Sequence, residues 1–138
     1  MRVMVIISNT PASEAVPPPT GTLEAMGRFN EELVNAGVLL AGDGLTSSAR
    51  GARVRFDGDR RTVTDGPFTE AKELVAGYWI WQVRSLDEAI EWLKQAPFGG
   101  GMEVEIRPVA EPDDFGAELT PELRAQDARL RATGESRA

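Results

Sequence analysis

The sequence predicts an α+β fold, because strand-like and helix-like segments alternate as β-α-β, then a hairpin, then β-α-β. Residues 3–7 form a continuous, mostly β-branched apolar run, typical of a central strand buried on both faces. Residues 23–36 and 86–93 repeat apolar side chains at spacings of three and four, which predicts one buried helical face each. Two βαβ halves with their helices on one face of an antiparallel sheet form a ferredoxin-like sandwich.

The segment between the first strand and the first helix, residues 8–21, contains four prolines. Proline fixes φ and has no N–H, so we expect a surface loop with polyproline character here rather than a helix or a central strand. The helix that follows should take Thr22 as its N-cap and Gly37 as the residue after its end. Residues 37–42 then complete the first half as a turn and a short strand.

An insertion between the two halves, residues 52–64, predicts a β-hairpin. Apolar and charged side chains alternate in its first arm, and Asp57-Gly58 is a turn signal. The segment also holds most of an arginine cluster, which consists of Arg50, Arg53, Arg55, Arg60 and Arg61. These arginines are either a solvated, edge-protecting face of the hairpin or a counter-charge for an anionic ligand.

The second half begins with a long predicted strand over residues 74–83. Alternation along this strand places Trp79 and Trp81 on one face and Tyr78 on the other. Two tryptophans on one face form a large apolar surface, and tryptophan is enriched at interfaces. We therefore expect this face to pack in the core or against another subunit.

A helix and a last strand should complete the second half. Ser85 and Glu88 form a capping-box pattern that starts the helix. Residues 102–109 then alternate apolar and polar side chains, which predicts a strand whose polar face carries Glu105 and Arg107. That polar face is either solvent-exposed or part of a cleft.

Beyond residue 110 the chain changes character. Thr120-Pro121 resembles an N-cap followed by proline at the first helical position, which predicts a last, weakly amphipathic helix. We therefore divide the chain into an α+β domain of residues 1–110 and a C-terminal helical extension of residues 111–138.

Composition excludes several kinds of chemistry. The 138 residues include neither cysteine nor histidine, which rules out thiol catalysis, thiolate or histidine metal sites, and nucleophiles activated by histidine. The net charge of −7 argues against a nucleic-acid partner. No phosphate-binding loop surrounds the glycines at 99–101, so we expect no cofactor and no metal.

Location and assembly follow from the pattern of apolar residues. The N-terminus has too short an apolar run for a signal peptide, and no segment is long enough to span a membrane, so we expect a cytoplasmic protein. A small sheet with helices on one face leaves its other face uncovered. Pairing with a second copy would bury that face, and we therefore expect a homodimer.

The segment Asp65-Gly66-Pro67-Phe68 interrupts the run of strands. Glycine tolerates positive φ, proline fixes φ, and the aspartate side chain can hydrogen-bond to its own downstream backbone. The segment must therefore interrupt the regular secondary structure. Charged and hydroxyl side chains follow it directly, including that of Lys72. The segment is therefore either a turn or part of a site.

Three runs of residues carry a resemblance to a known family. They are Gly51-Ala52-Arg53-Val54-Arg55, Asp65-Gly66-Pro67-Phe68-Thr69-Glu70-Ala71-Lys72-Glu73 and Ser85-Leu86-Asp87-Glu88-Ala89. Together with Gly77-Tyr78-Trp79 and with residues 103–109 and 114–124, these runs make the chain resemble the DGPF branch of the YCII-related family over almost its whole length, in a subgroup with a C-terminal helical extension. The resemblance implies a small dimeric α+β barrel, similar in fold to muconolactone isomerase, in a family that mostly has no assigned activity. Genes of this branch often lie beside those of extracytoplasmic-function sigma factors, which implies a link to a sigma factor by association only.

The sequence departs from the family at its proposed chemistry. Family members outside the DGPF branch are credited with a His-Asp pair whose histidine lies on the first helix, but this chain has no histidine. Any general acid or base must then be a carboxylate, a lysine or Tyr78. Burial would raise the pKa of Asp65 or Glu105 toward neutrality, whereas a neighbouring Lys72 or Arg107 would lower it. Whether the protein is an enzyme is left open by its sequence.

Two hypotheses follow. In the first, the protein binds a small molecule, with an anion as one candidate, in a cleft near the Asp65-Gly66-Pro67-Phe68 loop. Its candidate residues are Asp65 and Glu105 for catalysis, and Phe68, Lys72, Tyr78 and Arg107 for ligand binding. In the second, the protein is a non-catalytic accessory or regulatory protein, in which Asp65 caps backbone N–H groups and Phe68 fills the core.

Overall fold

A computed structural model of the chain describes residues 1–135. The chain divides into two compact units, Met1–Pro108 and a second unit that begins at Val109. None of the helices in the described part is long and apolar enough to cross a membrane.

The first unit contains two antiparallel sheets. In chain order, the strands are β1 (Arg2–Asn9), β2 (Leu39–Gly44), β3 (Ala52–Asp57), β4 (Arg60–Asp65), β5 (Leu74–Gln82) and β6 (Glu105–Pro108). Four of them form one sheet in the order β2-β5-β1-β6, and β3 and β4 form the other. The predicted α+β, ferredoxin-like fold is confirmed, with the hairpin inserted between its two βαβ halves.

The helices of the first unit are α1 (Pro11–Glu14), α2 (Thr20–Asn35) and α3 (Leu86–Lys94). Side chains of α2 and α3 pack on the sheet face that carries the tryptophans, which we call the helix face. The buried cluster consists of Val3, Val5, Phe29, Leu33, Val38, Trp79, Trp81, Val83 and Ala89. The ring of Phe29 meets those of Trp79 and Trp81 edge-on, with centroids 5.6 and 6.3 Å away. The sequence-predicted alternation along β5 is therefore confirmed.

The connection from β1 to α2 differs from the prediction. It is not all loop, because Pro11–Glu14 forms a short helix. Thr10 caps this helix by accepting a hydrogen bond from the N–H of Ser13, and Pro11 stands at the first turn, where no N–H is needed. The longer helix α2 also begins earlier than predicted, because Pro19 rather than Thr22 is its N-cap.

Several local signals in the first unit were informative. Gly37 has φ +72° directly after the C-cap of α2. Ser85 Oγ accepts the N–H of Glu88 at the start of α3, although the Glu88 carboxylate accepts from Arg84 N–H rather than from Ser85. The last strand, β6, is shorter than predicted and covers only four residues.

The β3–β4 hairpin forms its own two-stranded sheet, and its residues are exposed on both faces. Gly58 has φ +58° at the predicted turn. The Arg61 guanidinium lies 4.5 Å from the ring centroid of Phe56, which is 71% exposed even with this contact. Part of the arginine cluster therefore covers aromatic surface on the hairpin.

The second unit contains a 3₁₀ segment over Pro112–Glu118 and the helix α4 over Pro121–Glu135. Thr120 Oγ1 accepts a hydrogen bond from the N–H of Leu123 at 3.3 Å, so the predicted N-cap and helix are present. Arg124 forms an exposed ion pair with Asp113 at 3.0 Å. The predicted extension runs to residue 138, and residues 136–138 lie outside the described part.

Candidate functional site

The Asp65-Gly66-Pro67-Phe68 loop is attached to the short 3₁₀ turn Ser48–Arg50 by hydrogen bonds. The Gly66 N–H donates to the Gly51 carbonyl at 3.0 Å, and the Phe68 N–H donates to Ser48 Oγ at 3.1 Å. The Ser48 N–H and hydroxyl both donate to the Glu14 carboxylate, the former at 2.6 Å. We call this set of bonds the Ser48 clasp; it joins α1, the 3₁₀ turn and the loop.

Gly66 is needed where the loop meets the turn. A Cβ added to Gly66 would lie 1.7 Å from the Ser48 carbonyl oxygen and 2.5 Å from its carbon. Backbone atoms cannot rotate away as a flexible side chain can. Glycine is therefore required here by close approach, while the following peptide bond, Gly66-Pro67, is cis.

The clasp predicts a pH dependence of stability. Hydrogen bonds from Ser48 hold the pKa of the Glu14 carboxyl below its ordinary value, with the larger effect from the Ser48 N–H and the smaller from its hydroxyl. A lowered folded-state pKa contributes stability that is present above the unfolded-state pKa, about 4.3, and is lost as pH falls through the folded value. The difference in unfolding free energy between wild type and Glu14→Gln should therefore be constant above about pH 5 and shrink below about pH 4.

Urea denaturation followed by tryptophan fluorescence at a series of pH values measures this difference. Glu31→Gln, which replaces an exposed glutamate on α2, is the matched control. A difference between wild type and Glu14→Gln that stays constant down to pH 3 would contradict the clasp.

The predicted residues of the loop have different environments. The Asp65 side chain is exposed and has no hydrogen-bond partner among residues 1–135, so the backbone of this loop is bound by Ser48 rather than capped by Asp65. Lys72 is also exposed. Phe68 is only 8% exposed, and the Arg53 guanidinium lies 3.9 Å from its ring centroid.

Glu105 and Arg107 lie elsewhere. Both are on β6 in the four-stranded sheet, whereas Asp65 ends β4 in the two-stranded one. The Arg107 Nε and Glu105 Oε2 atoms are 3.7 Å apart, with the side chains 72% and 60% exposed. Such a surface pair contributes little stability. The structure does not gather Asp65, Glu105 and Arg107 into one cluster, and their roles stay predictions.

A cavity of about 350 Å³ lies beside the loop. Its apolar lining includes Phe68, and its polar lining comes from hydroxyls, one carboxylate and one guanidinium. The lining residues are Glu14, Leu45, Thr46, Ser47, Ser48, Gly51, Arg53, Phe68, Leu74 and Val75. The cation here is Arg53, not the predicted Lys72 or Arg107. Two polar groups of the cavity lining, the Ser48 hydroxyl and the Glu14 carboxylate, already hydrogen-bond to each other.

A second cleft of about 280 Å³ lies between α2 and the helix face of the sheet. Its lining is mostly apolar. The lining residues are Ile7, Pro18, Thr22, Leu23, Met26, Asn30, Gly42, Asp43, Gly44, Ala76, Gly77, Tyr78, Trp79 and Phe98. We call it the glycine-floored cleft, because Gly42, Gly44 and Gly77 lie opposite α2 and present backbone rather than side chains.

The floor follows from strand register. Gly42 pairs with Trp79 and Gly44 with Gly77, so all three glycines lie on the helix face. A Cβ on Gly42 would come within 2.4 Å of Trp79 Cδ1. A Cβ on Gly44 would meet nothing within 4 Å. Gly42 therefore makes room for the indole, and Gly44 leaves open space.

Asn30 supplies a polar group to this cleft. The Trp79 Nε1–H donates to Asn30 Oδ1 at 2.9 Å, which joins α2 to β5. Trp79 is nearly fully buried, and its ring also contacts Phe98, with centroids 6.0 Å apart. The indole and the amide therefore hold each other in fixed positions.

Tyr78 and Asp43 also line this cleft, but pairing and alternation place their side chains on the opposite face of the sheet. The Tyr78 hydroxyl donates to Asp43 Oδ2 at 3.1 Å. This hydrogen bond, and then the negative charge of Asp43, raise the pKa of Tyr78 above its ordinary value. The phenol therefore stays protonated at neutral pH and is no base there.

Asn30 and Asp43 were not among the residues expected from sequence. The available signal was the spacing of Gly42, Gly44 and Gly77 within strands, since a glycine inside a strand often marks a close approach. The partner of each glycine, and the position of Asn30 above them, depend on register and helix packing, which the sequence does not specify locally.

The family model of the YCII-related domain matches residues 1–112. No curated protein matches the chain. Because the matched region covers most of the sequence, the chain belongs to the YCII-related family.

Proposed function

We propose that the protein binds a small, largely apolar molecule in the glycine-floored cleft. The observation that carries this proposal is the cleft itself, about 280 Å³ in volume, with apolar walls, a backbone floor and a fixed amide. Apolar lining with few convergent polar groups is the usual character of a small-molecule site. The volume lies just below the range typical of drug-sized ligands, so the ligand should be small.

This site differs from the one that the sequence favoured, near the Asp65-Gly66-Pro67-Phe68 loop. In the cavity beside that loop, Ser48 and Glu14 already hydrogen-bond to each other in the clasp. In the glycine-floored cleft, the Asn30 amide uses only its oxygen, so both of its N–H groups remain available to a ligand. Among its lining residues in the described part of the chain, the cleft has neither lysine nor arginine. An uncharged ligand suits it better than an anion, because a buried charge without a partner costs several kcal/mol (roughly).

Gly44→Val tests the proposal, because an added Cβ at Gly44 has no neighbouring atom within 4 Å and valine adds two methyl groups at a residue that lines the cleft. Valine also suits a strand, so we expect thermal stability to be unchanged or slightly higher. Cumene and acetophenone serve as probes in ligand-observed NMR. Wild type should show saturation transfer to at least one probe, and Gly44→Val should show none.

Gly27→Ala is the matched control, since this glycine of α2 also has open space and does not line the cleft. It should bind the probes as wild type does and gain about 0.5–1 kcal/mol of stability from helix propensity. Equal saturation transfer in wild type and Gly44→Val would place probe binding outside the cleft and contradict the proposal.

We also propose that the protein forms a homodimer through the sheet face opposite the helices. The motif at residues 65–68 supports placing the chain in the DGPF branch of the family. Alternation puts Met4, Ile6 and Ile80 on that face, where neighbouring strands pair Met4 with Ile80. These apolar side chains are half-buried in one chain. A second copy would cover them, as expected for an isologous interface.

Sedimentation velocity at micromolar concentration should therefore show a dimer for wild type and a monomer for Ile80→Arg. Val34→Arg is the control, because Val34 is an exposed residue of α2. A wild-type monomer would refute the dimer without affecting the proposed ligand cleft.

A further inference from the structure

The orientation of the Asn30 amide is determined by its hydrogen bond with the Trp79 indole. The indole nitrogen of tryptophan is a donor only, so the atom of Asn30 that lies 2.9 Å from Trp79 Nε1 must be the carbonyl oxygen. A flipped amide would place two donors against each other. The Nδ2 group must therefore point away from Trp79, and it has no hydrogen-bond partner among residues 1–135.

We propose that the glycine-floored cleft selects ligands that present a neutral hydrogen-bond acceptor, such as the carbonyl of a ketone, aldehyde, ester or amide, to Asn30 Nδ2. This inference rests on the proposed function and adds the chemical class of the ligand. Asn30 is then the residue that determines specificity, and Trp79 is a positioning residue that acts through it.

The walls of the cleft strengthen this selection. Asn30 is half-buried, so water can reach its amide in the free protein. A ligand that displaces this water and supplies an acceptor keeps the donor paired, whereas a ligand of equal shape without an acceptor leaves it unpaired in an apolar site. A carboxylate ligand would also offer an acceptor, but no cation lines the described cleft to balance its charge. A neutral carbonyl meets the donor without that cost.

Asn30→Asp separates the two tasks of this residue. The aspartate keeps an oxygen for the Trp79 Nε1–H and replaces the free NH₂ donor with a second acceptor. Trp79→Phe makes the complementary change, because it keeps an aromatic ring but removes the indole donor, which frees the amide to flip. Gly27→Ala is again the control variant.

Three probes of similar shape make the measurement decisive: acetophenone, cumene and 1-phenylethylamine. They share a phenyl ring and differ in offering an acceptor, no polar group, or a cationic donor. Dissociation constants come from ligand-observed NMR titrations, and the Trp79 indole N–H resonance reports whether its hydrogen bond persists.

In wild type, acetophenone should bind about tenfold more tightly than cumene, which corresponds to one net hydrogen bond. In Asn30→Asp this preference should vanish and 1-phenylethylamine should bind best, with the Trp79 indole resonance still that of a hydrogen-bonded N–H. In Trp79→Phe the preference for acetophenone should weaken.

Equal affinities of wild type for acetophenone and cumene would overturn this inference and leave the proposed cleft intact. Binding of none of the three probes to wild type would overturn the cleft and the inference together. Because the wild-type ratio alone decides between these outcomes, the test does not depend on the variants folding.

Discussion

Replacing Gly66 with alanine is expected to lower the free energy of unfolding by more than about 3 kcal/mol, which is a large effect for one methyl group. The added Cβ would lie 1.7 Å from the Ser48 carbonyl oxygen, so the loop and the 3₁₀ turn must separate. Separation breaks the Gly66–Gly51 and Phe68–Ser48 hydrogen bonds and exposes the Phe68 ring, which is now 8% exposed. Each of these losses costs roughly 1 kcal/mol or more.

Thermal denaturation followed by circular dichroism measures this effect, and a fall in Tm of more than about 10 °C is expected for a domain of this size. Gly51→Ala is the matched control, because its Cβ would lie at an ordinary 3.5 Å from the same Ser48 oxygen. If Gly66→Ala and Gly51→Ala melt at the same temperature as wild type, the clasp does not hold the loop.

Asp65→Asn should behave differently from Gly66→Ala. The Asp65 carboxylate is exposed and has no hydrogen-bond partner in the described part of the chain, so the clasp does not need it. The structural importance of the motif therefore lies in its glycine and in the N–H of Phe68. Its most chemically suggestive side chain contributes nothing to that attachment.

A structural role for the loop and a ligand-binding role for the protein are compatible in this structure. A loop attached by a clasp and a ligand-binding cleft were alternatives only while both were assigned to residues 65–68. The Ser48 clasp joins that loop to the 3₁₀ turn, whereas the glycine-floored cleft uses α2, β2 and β5. A structural role for the loop therefore leaves room for a binding function in the same unit.

The fold was predictable because its signals are local. Alternation along residues 74–83, the apolar stripes of two helices and the Asp57-Gly58 turn each specify an element within a few residues. The short helix α1 was not predicted, because the four prolines of residues 8–21 indicated a loop more strongly than Thr10 indicated a helix N-cap. Thr10 and Ser13 bond to each other's backbone N–H, and Pro11 occupies a position that tolerates proline.

The candidate site was less predictable because its signals are not local. Asn30 and Trp79 are 49 residues apart, and Ser48 and Glu14 are 34 apart. The chemistry of a charged residue such as Lys72 is visible in the sequence itself. The cleft depends instead on glycines, whose contribution is the space that they leave, and that space appears only once strand register is known.

Gly42→Ala is expected to destabilise the protein by about 3 kcal/mol. The added Cβ would lie 2.4 Å from Trp79 Cδ1, and the ring cannot move aside freely because it packs against Phe29, Trp81 and Phe98. Overpacking of this kind costs roughly 1–3 kcal/mol. Any tilt of the indole also weakens its hydrogen bond to Asn30, and leaving that buried N–H unpaired costs roughly 1–3 kcal/mol more.

Gly44→Ala is the matched control, two residues further along the same strand and on the same face, with nothing within 4 Å of its Cβ. Urea denaturation should place Gly44→Ala at or slightly above wild type and Gly42→Ala well below it. The Trp79 indole resonance should shift in Gly42→Ala alone. Equal stability of the two variants would mean that the sheet yields to the added methyl group and that Gly42 does not position Trp79. In that case β2 would not fix the position of the Trp79 indole, and the indole could not orient the Asn30 amide.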